Sequence, residues 1–284
     1  MPTFSRYVPW AGGLAAAAAA ALLLVPAATA SAGLPPAAAP APAGNRTTAG
    51  TAAGAAAVAD YYAAAQGKTG PALKTALHGI VKNQSKITYD QVWNALKVTD
   101  EDPNNRNNVI LVYSGRSQSK STNGGGANDW NREHVWAKSH GDFGTATGPG
   151  TDLHHLRPED VTVNNTRGNK DFDRGGSPVS EAPGSFTDAD SFEPRDAVKG
   201  DVARMLLYMA VRYDGDDGFA DLEMNDRVNN GSAPAIGRIS VLKEWNRIDP
   251  PDAFEQRRNQ VIYDTYQHNR NPFIDHPEWV DQIW

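Results

Sequence analysis

The sequence has no cysteine among its 284 residues. Disulfides and thiol-based redox control of activity are thereby excluded, so the fold is held without covalent cross-links even in a compartment that permits them. It has no excess of positive charge either. A formal net charge of -6 argues against a binder that neutralises many phosphates with its own side chains. A divalent cation would change that locally, because its charge is often the largest in a site. Long, strongly apolar runs are also missing. The N-terminal stretch "AGGLAAAAAAALLLVPAA" is mostly alanine, and a retained membrane span needs roughly 18 strongly apolar residues. The N-terminal stretch carries no twin-arginine pair, and the chain has no internal repeat and no HExxH zinc signature.

What is present begins with a secretory pattern. Arg6 supplies a basic n-region, the alanine-rich stretch an h-region and "ATASA" a small-residue cleavage site. Residues 1–32 therefore read as a signal peptide cut near Ala30 or Ala32, which makes the product secreted and extracellular. Without twin arginines, general export of an unfolded chain is expected. Residues 33–58 are Ala, Pro, Gly and Thr with almost no large apolar group, hence a disordered linker or pro-segment. Residues 59–284 form the folded domain; 40% hydrophobic and 21% charged side chains over the chain suffice for an ordinary core.

Within that domain Leu73, Leu77, Ile80 and Val81 fall on one helical face. "ITYDQVWNAL" continues as a second helix with Thr88 as N-cap. "NNVILVYSG" reads as a strand. "DLHHLRP" reads as a short strand ended by Pro158, and "EDVTVNNTRGNKDF" as a short helix with acids at its N-terminal end. "AVKGDVARMLLYMAVRY" is a helix whose stripe is Val202, Met205, Leu206, Met209 and Tyr213. "SVLKEWNRI" and "AFEQRRNQVIYDTYQH" are two more, and "RNPFIDHPEWVDQIW" closes the chain with buried aromatics. The composition of elements is α+β.

Between Gly115 and Asp152 the chain is polar and Gly-rich, the kind of loop where function concentrates. It is interrupted by "WNREHVWAKSHG", Trp130 to Gly141. The pieces "NREHVW" and "DLHHLRP", followed at once by the short helix, make a β-β-α unit. The order EHVW, DLHHLRP, VNNTRGN, with the tail "RNQVIYDTYQHNRNPFIDHPEW", resembles the secreted and periplasmic endonuclease I family over residues 59–284. The resemblance implies a mostly helical α+β domain built around a ββα-metal (His-Me) finger with a small antiparallel strand pair. It implies a sequence-nonspecific, magnesium-dependent endonuclease that cuts DNA, RNA or both to 5'-phosphate ends, with manganese or calcium able to substitute or bind. It assigns the metal to Glu133 and Asn164.

The chemistry gives reasons for these residue types. Phosphodiester hydrolysis needs an activated water, stabilised charge on the phosphate and help for the leaving 3' oxygen. A histidine of ordinary pKa about 6.5 is mostly neutral at mildly alkaline pH, which suits His134 as general base. Magnesium suits the other two needs and requires only one or two protein oxygens. Successive residues of a regular strand point to opposite faces, so an irregular segment is expected at Glu133-His134. Arg167, three on from Asn164, shares its helix face and is placed to donate to the same phosphate; a salt bridge to nearby acids is the alternative. Asn169 faces away and closes the helix. Arg116, Trp130, Lys138 and His155 are candidate substrate contacts, Trp130 by stacking a base. Packing for Trp130 and Trp136, and structural hydrogen bonding for His154 and His155, are the competing readings. His154 and His155 are expected on opposite strand faces.

"YDGDDGF", with Asp214, Asp216 and Asp217, lacks full calcium-loop spacing and reads as a solvated acidic turn, with a structural cation as the alternative. Two other functions compete with the nuclease: a zinc hydrolase using His134, His154 and His155, and a noncatalytic secreted module that binds polymer through its tryptophans. A monomer without a stable membrane anchor, with nucleic acid as its partner, is expected.

Overall fold

A computed structural model describes residue 54 and residues 56–284. The expected signal peptide, and residues 33–53 and 55 of the expected linker, lie outside the described residues. Residues 56–61 are helical, and Val58 packs at the edge of the core. Among the described residues no helix is long and apolar enough to cross a membrane.

Helix α1 (Gly70–Val81) starts with Pro71 in its first turn, where a missing N–H costs nothing, and buries Leu73, Leu77 and Val81. Helix α2 (Tyr89–Thr99) is capped by Thr88 in a reciprocal capping box with Gln91. Strands β1 (Glu101–Asp102), β2 (Asn105–Ile110) and β3 (Ser117–Ser119) form an antiparallel sheet. The expected strand over "NNVILVYSG" ends at Ile110, and the chain turns through Val112 and Tyr113, both fully buried.

Strand β4 (Trp130–His134) pairs antiparallel with β5 (Leu156–Asp160), and α3 (Val161–Arg167) follows directly, its first turn capped by the Asp160 carboxylate. Two sequence expectations change here. His154 and His155 sit in the turn before β5, not on a strand, and Pro158 lies inside β5. The proline is tolerated because β5 has a partner on one side only.

Strands β6 (Asp171–Phe172), β7 (Ser177–Pro178), β8 (Phe186–Thr187) and β9 (Ser191–Glu193) make a small sheet of order β6-β9-β8-β7. Helix α4 (Lys199–Arg212) is then buried along its whole length, not on a stripe. Its charges are matched: Arg204 pairs with Glu255, Arg212 with Asp217, and Lys199 with Glu193. A short parallel pair, β10 (Glu223–Met224) and β11 (Ala235–Ile236), precedes α5 (Ile239–Ile248), α6 (Ala253–Val261), α7 (Pro272–Asp275) and α8 (Trp279–Ile283). Phe273 and Trp279 are buried, as the aromatic tail suggested.

The architecture is α+β, and the described residues form two hydrophobic cores. The larger surrounds α4; the smaller gathers Val92, Leu96, Val109, Leu111, Trp130, Leu156 and Ile262. Trp130 at the start of β4 belongs to the smaller core, whereas Val135 and Trp136 just beyond its end belong to the larger. Glu133 and His134 therefore sit where the backbone passes from one core to the other, anchored on both sides.

Candidate active site

Glu133 and His134 occupy the last two positions of β4, in unbroken register opposite Arg157 and Leu156. The irregular segment expected at this pair is absent; the chain bends one residue later, at Val135. The alternation of a regular strand is kept. Asn131 and Glu133 face α3, where Asn164 Nδ2 donates to Asn131 Oδ1 at 2.6 Å. Arg132 and His134 face α2, against the ring of Tyr89. A groove of about 670 Å³ borders the strand and takes in both faces. It is lined by Glu133, His134 and Asn164 together with Tyr89, Trp93 and Arg132.

Glu133 is 2% exposed. Tyr113 Oη donates to its Oε1 at 2.7 Å, and Arg167 Nη1 lies 3.2 Å from the same oxygen. Burial raises the Glu133 carboxyl above its ordinary value, opposed by the Arg167 charge and the Tyr113 hydrogen bond. Oε2 takes part in neither contact. Asn164 uses its amide nitrogen on Asn131, which leaves its Oδ1 outside that bond. The groove thus holds two hard oxygen donors of the kind magnesium takes.

His134 is held by the carbonyl of Gly150, 3.1 Å from Nε2. A carbonyl only accepts, so Nε2 carries the proton and Nδ1 keeps the lone pair. Burial, then the neighbouring His155, hold the imidazole well below its ordinary pKa, so the ring is neutral at neutral pH. His155 is locked too. Its Nδ1 accepts from the Trp136 N–H at 3.3 Å, and its Nε2 donates to the Pro149 carbonyl at 2.7 Å. It is fully buried and supports the His134 ring at a centroid distance of 5.6 Å; it does not line the groove.

Two other expectations change for the same reason, burial. Arg167 is 0% exposed, and its guanidinium donates to the carbonyls of His134 and Val135 at 2.8 and 2.6 Å. Those bonds and the Glu133 contact commit it to the protein, so it is not placed as a bidentate phosphate donor. Trp130 is fully buried with its Nε1 donating to Ser119, and has no open face for a base. Arg116 is held by Asp160 and Gln118, outside the groove. Lys138 is exposed and does line the groove. Asn169 lies beyond the helix, which ends at Arg167 with Gly168 in the left-handed region, and it also lines the groove.

Tyr89, Trp93, Arg132 and Tyr113 were not singled out from the sequence. A signal existed for three of them. Arg132 is two residues before His134 and so shares its strand face, and Tyr89 and Trp93 are an aromatic pair at i, i+4 on one helix face.

In the acidic turn Asp216 contacts Lys82 and the imidazole of His78, and Asp217 contacts Arg212. The histidines proposed as zinc ligands do not converge. Nε2 of His134, His155 and His154 goes to Gly150, Pro149 and Asn269 respectively. Among the described residues no group of three or more His, Asp or Glu side chains is set to hold a metal ion.

The family model of Endonuclease I matches residues 69–278. The chain is 67% identical over 224 residues to an extracellular ribonuclease of Bacillus amyloliquefaciens, covering 79% of this chain and 78% of that one. It is 66% identical over 224 residues, with the same coverage, to an extracellular ribonuclease of Bacillus subtilis (strain 168). An extracellular deoxyribonuclease of Aeromonas hydrophila is 30% identical over 129 residues, 44% of this chain and 49% of that one. The chain belongs to the endonuclease I family and is a secreted nuclease.

Proposed function

We propose that the protein is a sequence-nonspecific, magnesium-dependent endonuclease that hydrolyses RNA, and also DNA, to 5'-phosphate ends. One observation carries the reading: Glu133, His134 and Asn164, brought together from β4 and α3, line a single groove. In this reading β4, β5 and α3 are the ββα-metal finger. When bound by Glu133 and Asn164, magnesium supplies positive charge to the phosphate oxygens and to the leaving 3' oxygen. Manganese would meet the same donors.

His134 does the proton chemistry. Its neutral ring, fixed by Gly150, accepts a proton at Nδ1 from the attacking water as that oxygen bonds to phosphorus. The bond from phosphorus to the 3' oxygen breaks, that oxygen takes a proton from solvent water, and His134 returns its proton to solvent, which leaves a 5'-phosphate and a 3'-hydroxyl. Arg167 acts as a positioning residue: it holds the His134 and Val135 carbonyls and balances the Glu133 charge. Nothing in this step uses a 2'-hydroxyl, so both sugars are admissible. None of these groups reads a base, so weak sequence preference follows. The ribonuclease relatives, alike over most of their length, support RNA as the principal substrate.

The test is cleavage of total RNA and supercoiled plasmid by the secreted protein, with magnesium and with excess chelator, beside His134→Ala. Metal-dependent degradation lost in the variant is expected. Intact polymers in every lane from folded protein would reject the reading.

A further inference from the structure

The arginines around the groove are not equivalent. Arg167 is bound to backbone carbonyls and Glu133, Arg157 lies between Asp100 and Asp201, and Arg116 is held by Asp160. Arg132 differs from all three. It is half-buried and lines the groove, and among the described residues no carboxylate forms an ion pair with it, the Asp90 charge acting on it only from farther off. Yet it is held in place. Its guanidinium carbon stands 3.4 Å from the centre of the Tyr89 ring and 4.0 Å from that of Trp93, and Nη1 donates to the Tyr89 carbonyl at 2.7 Å. Tyr89 and Trp93 are one helical turn apart on α2, so the helix sets the spacing of the clamp. Stacking on ring faces fixes a guanidinium without neutralising it. Tyr89 also lies against His134, with centroids 5.8 Å apart and planes at 28°, which fixes the cation relative to the general base.

We propose that Arg132, clamped by Tyr89 and Trp93, docks a backbone phosphate of the bound nucleic-acid strand next to the scissile one. The proposal rests on the nuclease reading above. A rigid fork of donors suits a phosphate, and a guanidinium with one nitrogen on the Tyr89 carbonyl and no carboxylate in an ion pair has donors and charge left for the strand. The contact is to the backbone, so it adds affinity without sequence preference.

The experiment is anisotropy of a fluorescein-labelled single-stranded oligonucleotide titrated with the full mature protein in chelator, over a salt series, with steady-state cleavage kinetics in magnesium alongside. Arg132→Gln should weaken binding about tenfold. The slope of log affinity against log salt should become shallower by about 0.7, the loss of one phosphate contact on a single strand. KM should rise while kcat stays within about threefold, as when uniform binding is removed. Arg132→Met, which keeps a long stem against the two rings, takes its place if the Gln variant has lost its thermal transition. An unchanged salt slope and KM with a lowered kcat would overturn the proposal, because Arg132 would then only support His134 through Tyr89. The two readings fail separately. A His134→Ala protein that cleaves at the wild-type rate sinks the nuclease site itself, whereas a dead His134→Ala with an unaltered slope in the Arg132 variant sinks the docking role alone.

Discussion

Arg167 Nη1 donates to the carbonyl oxygen of His134 at 2.8 Å, so an arginine at the end of α3 fixes the backbone where β4 ends. The same group lies 3.2 Å from Glu133 Oε1, and all of this is out of water. Removing one partner of a buried pair leaves an uncompensated charge, which typically costs about 3–5 kcal/mol. Arg167→Met should lower the urea midpoint accordingly with little change in slope. In the protein that remains folded, the salt dependence of oligonucleotide binding should match wild type. A shallower dependence would mean that Arg167 reaches the phosphate after all.

Tyr113 is the other partner of Glu133, and it arrives from the turn after β2. Groups that orient a ligating carboxylate are typically worth about 10–100-fold in metal affinity or activity. Tyr113→Phe should therefore raise the magnesium concentration for half-maximal cleavage, by about tenfold on that scale, while Glu133→Gln, which loses a charged oxygen, should raise it further. A magnesium titration unchanged in the Gln variant would remove Glu133 from the ligand set.

What the sequence disclosed was local. The Thr88 capping box, the apolar face of α1 and the order of the β-β-α pieces depend on neighbours a few residues away, and a linear reading finds them. The groove was half legible. Glu133, His134, Asn164 and Lys138 all line it. Arg167, Trp130 and His155 are candidates for substrate by residue type, with a salt bridge, packing and structural hydrogen bonding as the rival readings, and each is fully buried. Burial is set by packing between distant segments: Trp130 enters a core with Ile262, and Arg167 stacks on Phe172. Spacing along the chain carries no record of such contacts. The β-strand of "NNVILVYSG" was displaced for a related reason, since Val112 and Tyr113 leave the sheet to reach Pro158 and Glu133.

Helix α2 brings Tyr89 and Trp93 to the groove, and Thr88 starts it. The Thr88 hydroxyl accepts from Gln91 N at 3.3 Å while the Gln91 side chain accepts from Thr88 N at 2.7 Å. Thr88→Ala should cost about 1 kcal/mol, as loss of an N-cap does, seen as a lower midpoint in chemical denaturation. A midpoint equal to wild type would show that the cap contributes nothing here.

Burial also sets a response to acid. His154 and His155 are held at about 4, foremost by burial and against the attraction of Asp152; Arg258 presses both down, and Arg167 presses His155 down further. In the unfolded chain each takes a proton near about 6.5. Folding therefore excludes protons that the unfolded chain binds, so this stabilisation is complete above about pH 6.5 and is lost as pH falls towards about 4. Its ceiling is about 3 kcal/mol for each histidine. Glu159 acts in the opposite sense. Burial raises its carboxyl to about 7, so its contribution is present below the unfolded value of about 4.5 and is lost as pH rises towards 7. The histidine contribution is separable by difference. Urea unfolding of wild type and His155→Gln at intervals between pH 7 and pH 4 should show the variant losing less stability than wild type on acidification, because one excluded proton has been removed. Parallel profiles would mean that His155 titrates alike in the folded and unfolded chains, and that the Pro149 and Trp136 contacts do not hold it neutral.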